Sequence, residues 1–258
     1  MNKGNIKYQN HLTVFFDILG FAELVNRTQD ALDIYDIVNK LNFISSDLKK
    51  NMKRATFSDL VVLATTQTTS TRGFDSHVIL NNIFNEIARI QAQLIINSIL
   101  VRGGVTYDKL YVDKNFIFGK GLNYAYQLES KTANYPRIII DPIVFDIYNS
   151  TYENHSQITM DNDGIYYVDY LKYITANHNE YLSVENFFKS HKEFIEQQVE
   201  QINNSGISSK NLKYTWLILK HNQCLSQLPD NYSTEIRNRF NEYKIRHELI
   251  TRLTKRSN

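Results

Sequence analysis

The sequence predicts an α+β protein: a sheet with helices on one face, followed by a C-terminal helical extension. Two observations carry this. Short apolar, β-branched runs alternate with segments of helical periodicity in the order β-α-β-β-α-β-β-α-β up to about residue 175. Beyond that point every periodic segment reads as helix. The expected organisation is therefore a sheet-containing part, 1–175, and a helical part, 176–258.

The elements follow in order. His11–Ile18 (HLTVFFDI) is a short apolar and aromatic run, read as a buried strand. Gly20 follows it, and helical spacing begins. From Thr28 a clearer helix is expected, with Thr28 as cap, Asp30 and Asp33 at its positive end, and Leu32, Tyr35, Val38, Leu41 and Ile44 as one stripe. Polar Lys49–Lys53 ends it. Thr56–Thr65 reads as a strand, with Ala55 in a short strand before it, and the polar loop Thr66–Ser76 carries Gly73. Ile79, Ile83, Ile87, Ile90 and Leu94 mark a helix from about His77 to Ser98. Leu100–Tyr107 and Lys109–Phe118 read as a hairpin, and Gly119–Lys131 as a helix with Leu122, Ala125, Tyr126 and Leu128 inward. Arg137–Ile140 is a buried strand, Pro142 opens a helix, and Ile165–Tyr170 is a further strand. Glu185–Asn203, Leu212–Gln227 and Ser233–Lys255 complete the helical part.

Composition narrows the function classes. Of 258 residues, 42% are hydrophobic and 22% charged, ordinary globular values that exclude disorder, collagen and coiled coil. The net charge of +2 is unlike a dedicated nucleic-acid binder, so no nucleic-acid partner is expected. The single cysteine, Cys224, excludes a disulfide scaffold and suits a reducing compartment. No signal peptide or membrane-spanning run is read, and the expected location is the cytoplasm. The seven histidines show no metal spacing and receive no role. The last stretch, Ser233–Asn258, is basic, with seven Lys/Arg against three Glu, which reads as a solvated face or dimer contact.

Nine glycines are few for this length, and five fall in three places: Gly20, Gly103–Gly104, and Gly119 with Gly121. At Phe16-Asp17-Ile18-Leu19-Gly20-Phe21, an acid ends a strand and a glycine turn opens a helix. Backbone N–H groups at a helix start bind phosphate. A carboxylate beside them suits a bridging Mg²⁺ or Mn²⁺, or else simply caps the helix. Asp59, in Phe57-Ser58-Asp59, stands next to a strongly apolar run, as a second metal carboxylate or as a turn residue. If their strands are sheet neighbours, Asp17 and Asp59 face each other, and two metals held there activate a hydroxyl and bind a triphosphate.

With these residues in view, the chain resembles the class III nucleotidyl cyclases. FFDILGF is similar to their first metal motif, FSD to their second, and Gly119, Asn123, Ala125 and Leu128 match their Gly-x-x-Val-Asn-x-Ala-x-x-Leu segment. The resemblance covers roughly residues 10–140. Its detail, with Arg102-Gly103-Gly104, is nearest to the Pycsar pyrimidine cyclases of bacterial anti-phage defence. It implies a ferredoxin-like cyclase core. It further implies a homodimer with shared active sites, and two divalent ions, Mn²⁺ or Mg²⁺, on Asp17, Asp59 and the Ile18 carbonyl. Phosphates would lie on the backbone of Leu19, Gly20 and Phe21 beside Phe16, and Asn123 of the second chain would orient the ribose. Cyclisation of UTP or CTP to a cyclic monophosphate would release pyrophosphate, and the product would act on a separate effector.

Two departures sharpen the reading. The family's transition-state arginine position is Gln127 here, so that role lapses or moves to Arg102 or Lys120, of which Arg102 is favoured. The adenine-reading positions are Ala55 and Phe116, which cannot make purine-specific bonds, though Phe116 equally fits a core strand. The alternatives are a cyclase-like nucleotide-binding module without turnover, and an adenylyl or guanylyl cyclase.

Overall fold

The computed structural model describes residues 7–46, 52–65, 77–149, 157–177, 181–202 and 208–254. Lys49–Asn51, the loop Thr66–Ser76 with Gly73, Asn203 and Lys255–Arg256 lie outside them. The chain divides into two compact units, Met1–Asp169 and Tyr170–Asn258. The sequence placed the division after 175. No helix among the described residues is long and apolar enough to cross a membrane.

The first unit is built on one sheet. Its strands are β1 (Gln9–Ile18), β2 (Met52–Phe57), β3 (Leu60–Thr65), β4 (Val101–Val112), β5 (Ile117–Gly119), β6 (Ile138–Ile140), β7 (Ile158–Met160) and β8 (Tyr166–Val168). The order is β2-β3-β1-β4-β6-β8-β7, with β5 paired to β4, and every pairing is antiparallel except β4 with β6. The α+β class with a mostly antiparallel sheet is as expected. Its helices are α1 (Phe21–Arg27), α2 (Ala31–Ser46), α3 (His77–Ile96), α4 (Lys120–Lys131) and α5 (Pro142–Asn149).

Strand periodicity assigns the faces. Phe15 pairs with Gly104, and a Cβ on Gly104 would meet Leu128 and Ala125, so α4 lies on that face. Phe15, Val62 and Ala125 form its core, with Leu60, Ile117 and Leu122 around them. Leu12, Val14, Phe16 and Ile18 point the other way and are buried as well. That second covered face adds a layer to the one-face arrangement read from the sequence.

Several boundaries differ from expectation, each for a local reason. Thr28 closes α1 instead of opening α2: its hydroxyl donates to the Leu24 carbonyl at 2.8 Å. The stripe on α2 is buried only toward its end, at Leu41 and Ile44, while Leu32 and Tyr35 are exposed. β4 runs on through Asp108, and its hairpin turns at Asp113. There the carboxylate accepts from the Asn115 and Phe116 amides, both at 2.7 Å. Tyr126 is exposed, not inward, and stacks its ring edgewise on Phe15. The short strand β7 was not foreseen.

The second unit contains α6 (Tyr170–Asn177), α7 (Tyr181–Glu200), α8 (Ser209–Ser226), α9 (Thr234–Asn241) and α10 (His247–Thr254). Tyr170 opens α6, a helix the sequence reading lacked, instead of ending a strand. The expected single helix Ser233–Lys255 is broken between α9 and α10. Asn222 on α8 donates to the Ile245 carbonyl and accepts from the Ile245 amide, both at 2.8 Å, and His221 takes the Tyr243 carbonyl at 2.9 Å. Backbone groups a helix would use are thus committed to α8.

The second unit also holds a buried histidine pair. The Tyr243 carbonyl only accepts, so His221 Nε2 carries the proton. His221 Nδ1 then accepts from His191 Nδ1 at 2.8 Å, and His191 Nε2 accepts from the Tyr170 hydroxyl at 2.8 Å. Both rings are neutral. Burial lowers both, His221 to about 4, and His191 well below the usual value with the charge of His221 adding. Unfolded histidine titrates near 6.5. Stability is therefore present above that pH and lost as pH falls below it. We expect the denaturation midpoint of this unit, read from the single tryptophan Trp216 on α8, to fall between pH 7.5 and pH 5. The loss is about 2 kcal/mol per ring. An unchanged midpoint would contradict the neutral pair.

Candidate active site

β1 ends by placing Asp17 on the α4 face, where it sits in register between Leu60 of β3 and Arg102 of β4. The β2–β3 turn carries Asp59 directly before Leu60, with Ser58 at a left-handed φ of 55°. β1 and β3 are sheet neighbours, so Asp17 at the end of β1 lies near Asp59 in the turn that leads into β3, and their charges interact. Asp59 is at the same time the turn residue the simpler reading described.

Arg102 reaches back over this point. Its Nε lies 3.5 Å from Asp17 Oδ1 and 2.5 Å from Glu129 Oε1. Glu129 sits on the inner face of α4, one and two turns beyond Ala125 and Gly121, and its side chain is 2% exposed. The sequence reading missed it. The available signal was a charged residue on the stripe of α4 that carries Gly121 and Ala125. Arg102 is therefore no ordinary surface arginine at a strand end.

Asp17 and Glu129 at the Arg102 guanidinium, with Asp59 close enough to act on both, leave two negative charges when all three acids are ionised. Burial raises the Asp17 carboxyl and the charge of Asp59 adds to it, while Arg102 opposes the rise. Burial, followed by the charge of Asp17, pushes Glu129 up to about 7. Among the described residues no three such side chains form a ready-made metal cage. Two hard oxygen ligands with uncompensated negative charge suit Mg²⁺ or Mn²⁺, which take one or two carboxylates together with substrate phosphates. Asp17 and Asp59 would hold such ions, with the carbonyl of Ile18 at the strand end.

Gly20 follows at φ 84°, the N-cap of α1, and no side chain caps that helix. Asp17 makes no hydrogen bond to an amide of α1, which excludes the capping role considered for it. The Leu19 amide donates to the Leu100 carbonyl at 2.8 Å, so Leu19 cannot offer its N–H to a phosphate, as had been expected. Gly20 and Phe21 keep theirs without a partner among the described residues. The Phe16 side chain is buried on the opposite face of the sheet, so only its backbone borders this turn.

Asn123 and Gln127 are one turn apart on the exposed side of α4, away from Ala125 and Glu129. Asn123 makes no hydrogen bond with any described residue, so the structure does not bring it to Asp17. Ala55 is exposed on β2. Phe116 is 60% exposed in the β4–β5 turn, which corrects its reading as a core strand residue. Lys53 Nζ donates to the Lys114 carbonyl at 2.9 Å and ties β2 to that turn. Exposed Phe57 adds a second aromatic at the β2–β3 turn.

No protein-family model matches the chain, and no curated protein matches it. Among solved structures it is similar to a class III adenylyl cyclase-like ATP-binding protein from Pseudomonas aeruginosa. The TM-score is 0.45 at 13% identity over 65% of this chain, which spans 40% of that one. It is also similar to an adenylate/guanylate cyclase/hydrolase from Silicibacter pomeroyi, with a TM-score of 0.38 at 15% identity, covering 63% of this chain and 98% of that one. Likeness of this degree assigns no chemistry to individual residues.

Proposed function

We propose that the chain is a nucleotidyl cyclase that converts UTP or CTP to the 3′,5′-cyclic monophosphate and pyrophosphate. One observation carries the reading. Asp17 at the end of β1 pairs in register with Leu60, Asp59 precedes that residue in the β2–β3 turn, and the two carboxylates interact electrostatically, with negative charge left over, beside a left-handed glycine turn whose amides at Gly20 and Phe21 are unspent.

Bound Mg²⁺ or Mn²⁺ would supply Lewis acidity to the hydroxyl and the triphosphate. The chain itself binds and orients. The Gly20 and Phe21 amides hold phosphate oxygens at the start of α1. Asn123, on the exposed side of α4, orients the ribose in the site of a second copy. The 3′-oxygen then forms its bond to the α-phosphorus as the bond to pyrophosphate breaks. No protein nucleophile is required. Small, exposed Ala55 and exposed Phe116 leave the base to stacking, which fits a pyrimidine enzyme. The product would serve as a signal to a separate effector, in keeping with an anti-phage role.

Neutral Gln127 favours a second reading, a nucleotide-binding module without turnover. A mixing experiment separates the two. Asp59→Ala and Asn123→Ala proteins should each be inactive alone. Their mixture should recover about a quarter of wild-type activity, because half the dimers are mixed and each has one intact site. No recovery from two folded, dimeric variants would contradict the shared site.

A further inference from the structure

Glu129 has no role in the reaction as described above. It is the one charged side chain among the inward residues of α4, which are otherwise Gly121, Leu122, Ala125 and Leu128. A carboxylate buried to 2% exposure in that layer joins a cluster already rich in negative charge. Stability does not account for it, since a buried ion pair is often replaced by apolar side chains without loss. Its contact is specific. Oε1 forms an ion pair with Arg102, 2.5 Å from Nε but without hydrogen-bond geometry, and the same Nε lies 3.5 Å from Asp17. Nη1 and Nη2 of Arg102 make no hydrogen bond with a described residue. The Arg102 side chain is 30% exposed. Lys120, the other cation considered for the charge lost at Gln127, is exposed and held by no described side chain.

We propose that Glu129 is a positioning residue: its buried carboxylate pairs with Arg102 beside Asp17 and thereby holds the guanidinium toward the triphosphate. This rests on the cyclase reading of the site. Arg102, so held, supplies the fixed positive charge that Gln127 lacks, and a charge fixed in advance needs no rearrangement as the transition state forms.

The sign of one measurement separates positioning from simple electrostatics. Wild-type protein and the Glu129→Gln, Arg102→Ala and doubly substituted proteins are compared by thermal melting, by cyclisation kinetics, and by calorimetric titration with Mn²⁺-tripolyphosphate. Removing a negative charge should by itself tighten anion binding. Positioning predicts that Glu129→Gln weakens it about 10-fold. The same change should lower kcat/KM about 100-fold, mostly in kcat. The double variant should be no worse than Arg102→Ala, because Glu129 acts through that side chain. If Glu129→Gln fails to fold, Glu129→Asp, which keeps the charge and withdraws the carboxylate, should show the same loss in smaller degree. Tripolyphosphate binding unchanged or tightened by either Glu129 variant would overturn the proposal, as would independent effects in the double variant. Absence of tripolyphosphate binding by the wild-type protein would overturn it too. Wild-type protein that binds tripolyphosphate but cyclises none of the four nucleoside triphosphates would instead sink the cyclase reading, leaving Glu129 to be judged on binding.

Discussion

Asp17→Asn is expected to abolish cyclic nucleotide formation, by about 1,000-fold or more, while the protein stays folded. Asparagine keeps the shape and removes the charge. In the absence of cations that charge is a burden: burial and Asp59 raise the Asp17 carboxyl, and Arg102 and, to a lesser degree, Glu129 offset them only in part. The variant should therefore melt no lower than the wild type in metal-free buffer. The two should part when Mn²⁺ is added. A ligand that binds the native state alone raises its stability by mass action, so wild-type protein should melt higher with Mn²⁺ and Asp17→Asn should not. Activity retained in the variant, or an equal Mn²⁺ response in both, would remove Asp17 from the site.

Gly104→Ala should be nearly as damaging, through packing instead of charge. A Cβ there would stand 2.7 Å from Leu128 Cβ and 2.8 Å from the Ala125 carbonyl oxygen, where no side chain can simply rotate away. α4 must lift from β4. Ala125 is fully buried against Phe15 and Val62, so lifting opens the core as well. Overpacking of this kind costs about 1–3 kcal/mol. The helix that shifts carries both Asn123 and Glu129, and a displacement of about 1 Å at such groups costs about 100-fold in rate. Melting temperature and turnover should fall together. A variant with wild-type values of both would show that α4 does not rest on Gly104.

What the sequence made legible depended on whether a signal was local. Asp17 at the end of an apolar run, Gly20 after it, and Asp59 before Leu60 are short-range patterns, and sheet pairing then brought the acids together. Glu129 was not legible because its meaning comes from Arg102 and Asp17, which reach it across the fold from β4 and β1. Phe116 reads as apolar and hence as core, yet the turn made by Asp113 exposes it. The break between α9 and α10 has no proline or glycine to announce it, since Asn222 and His221 on α8 impose it by taking backbone groups at Tyr243 and Ile245. The neutral histidine pair escaped for the same reason: His191 and His221 become partners only when α7 packs on α8.

The measurement closest to the central claim is incubation of the purified protein with Mn²⁺ and each of the four nucleoside triphosphates, with products identified by mass and Asp17→Asn as the blank. The account predicts a 3′,5′-cyclic monophosphate and equimolar pyrophosphate from UTP or CTP, and little from ATP or GTP. Cyclic product from the purines alone would contradict the pyrimidine assignment, and no cyclic product from any of the four, with the protein dimeric, would contradict the cyclase itself.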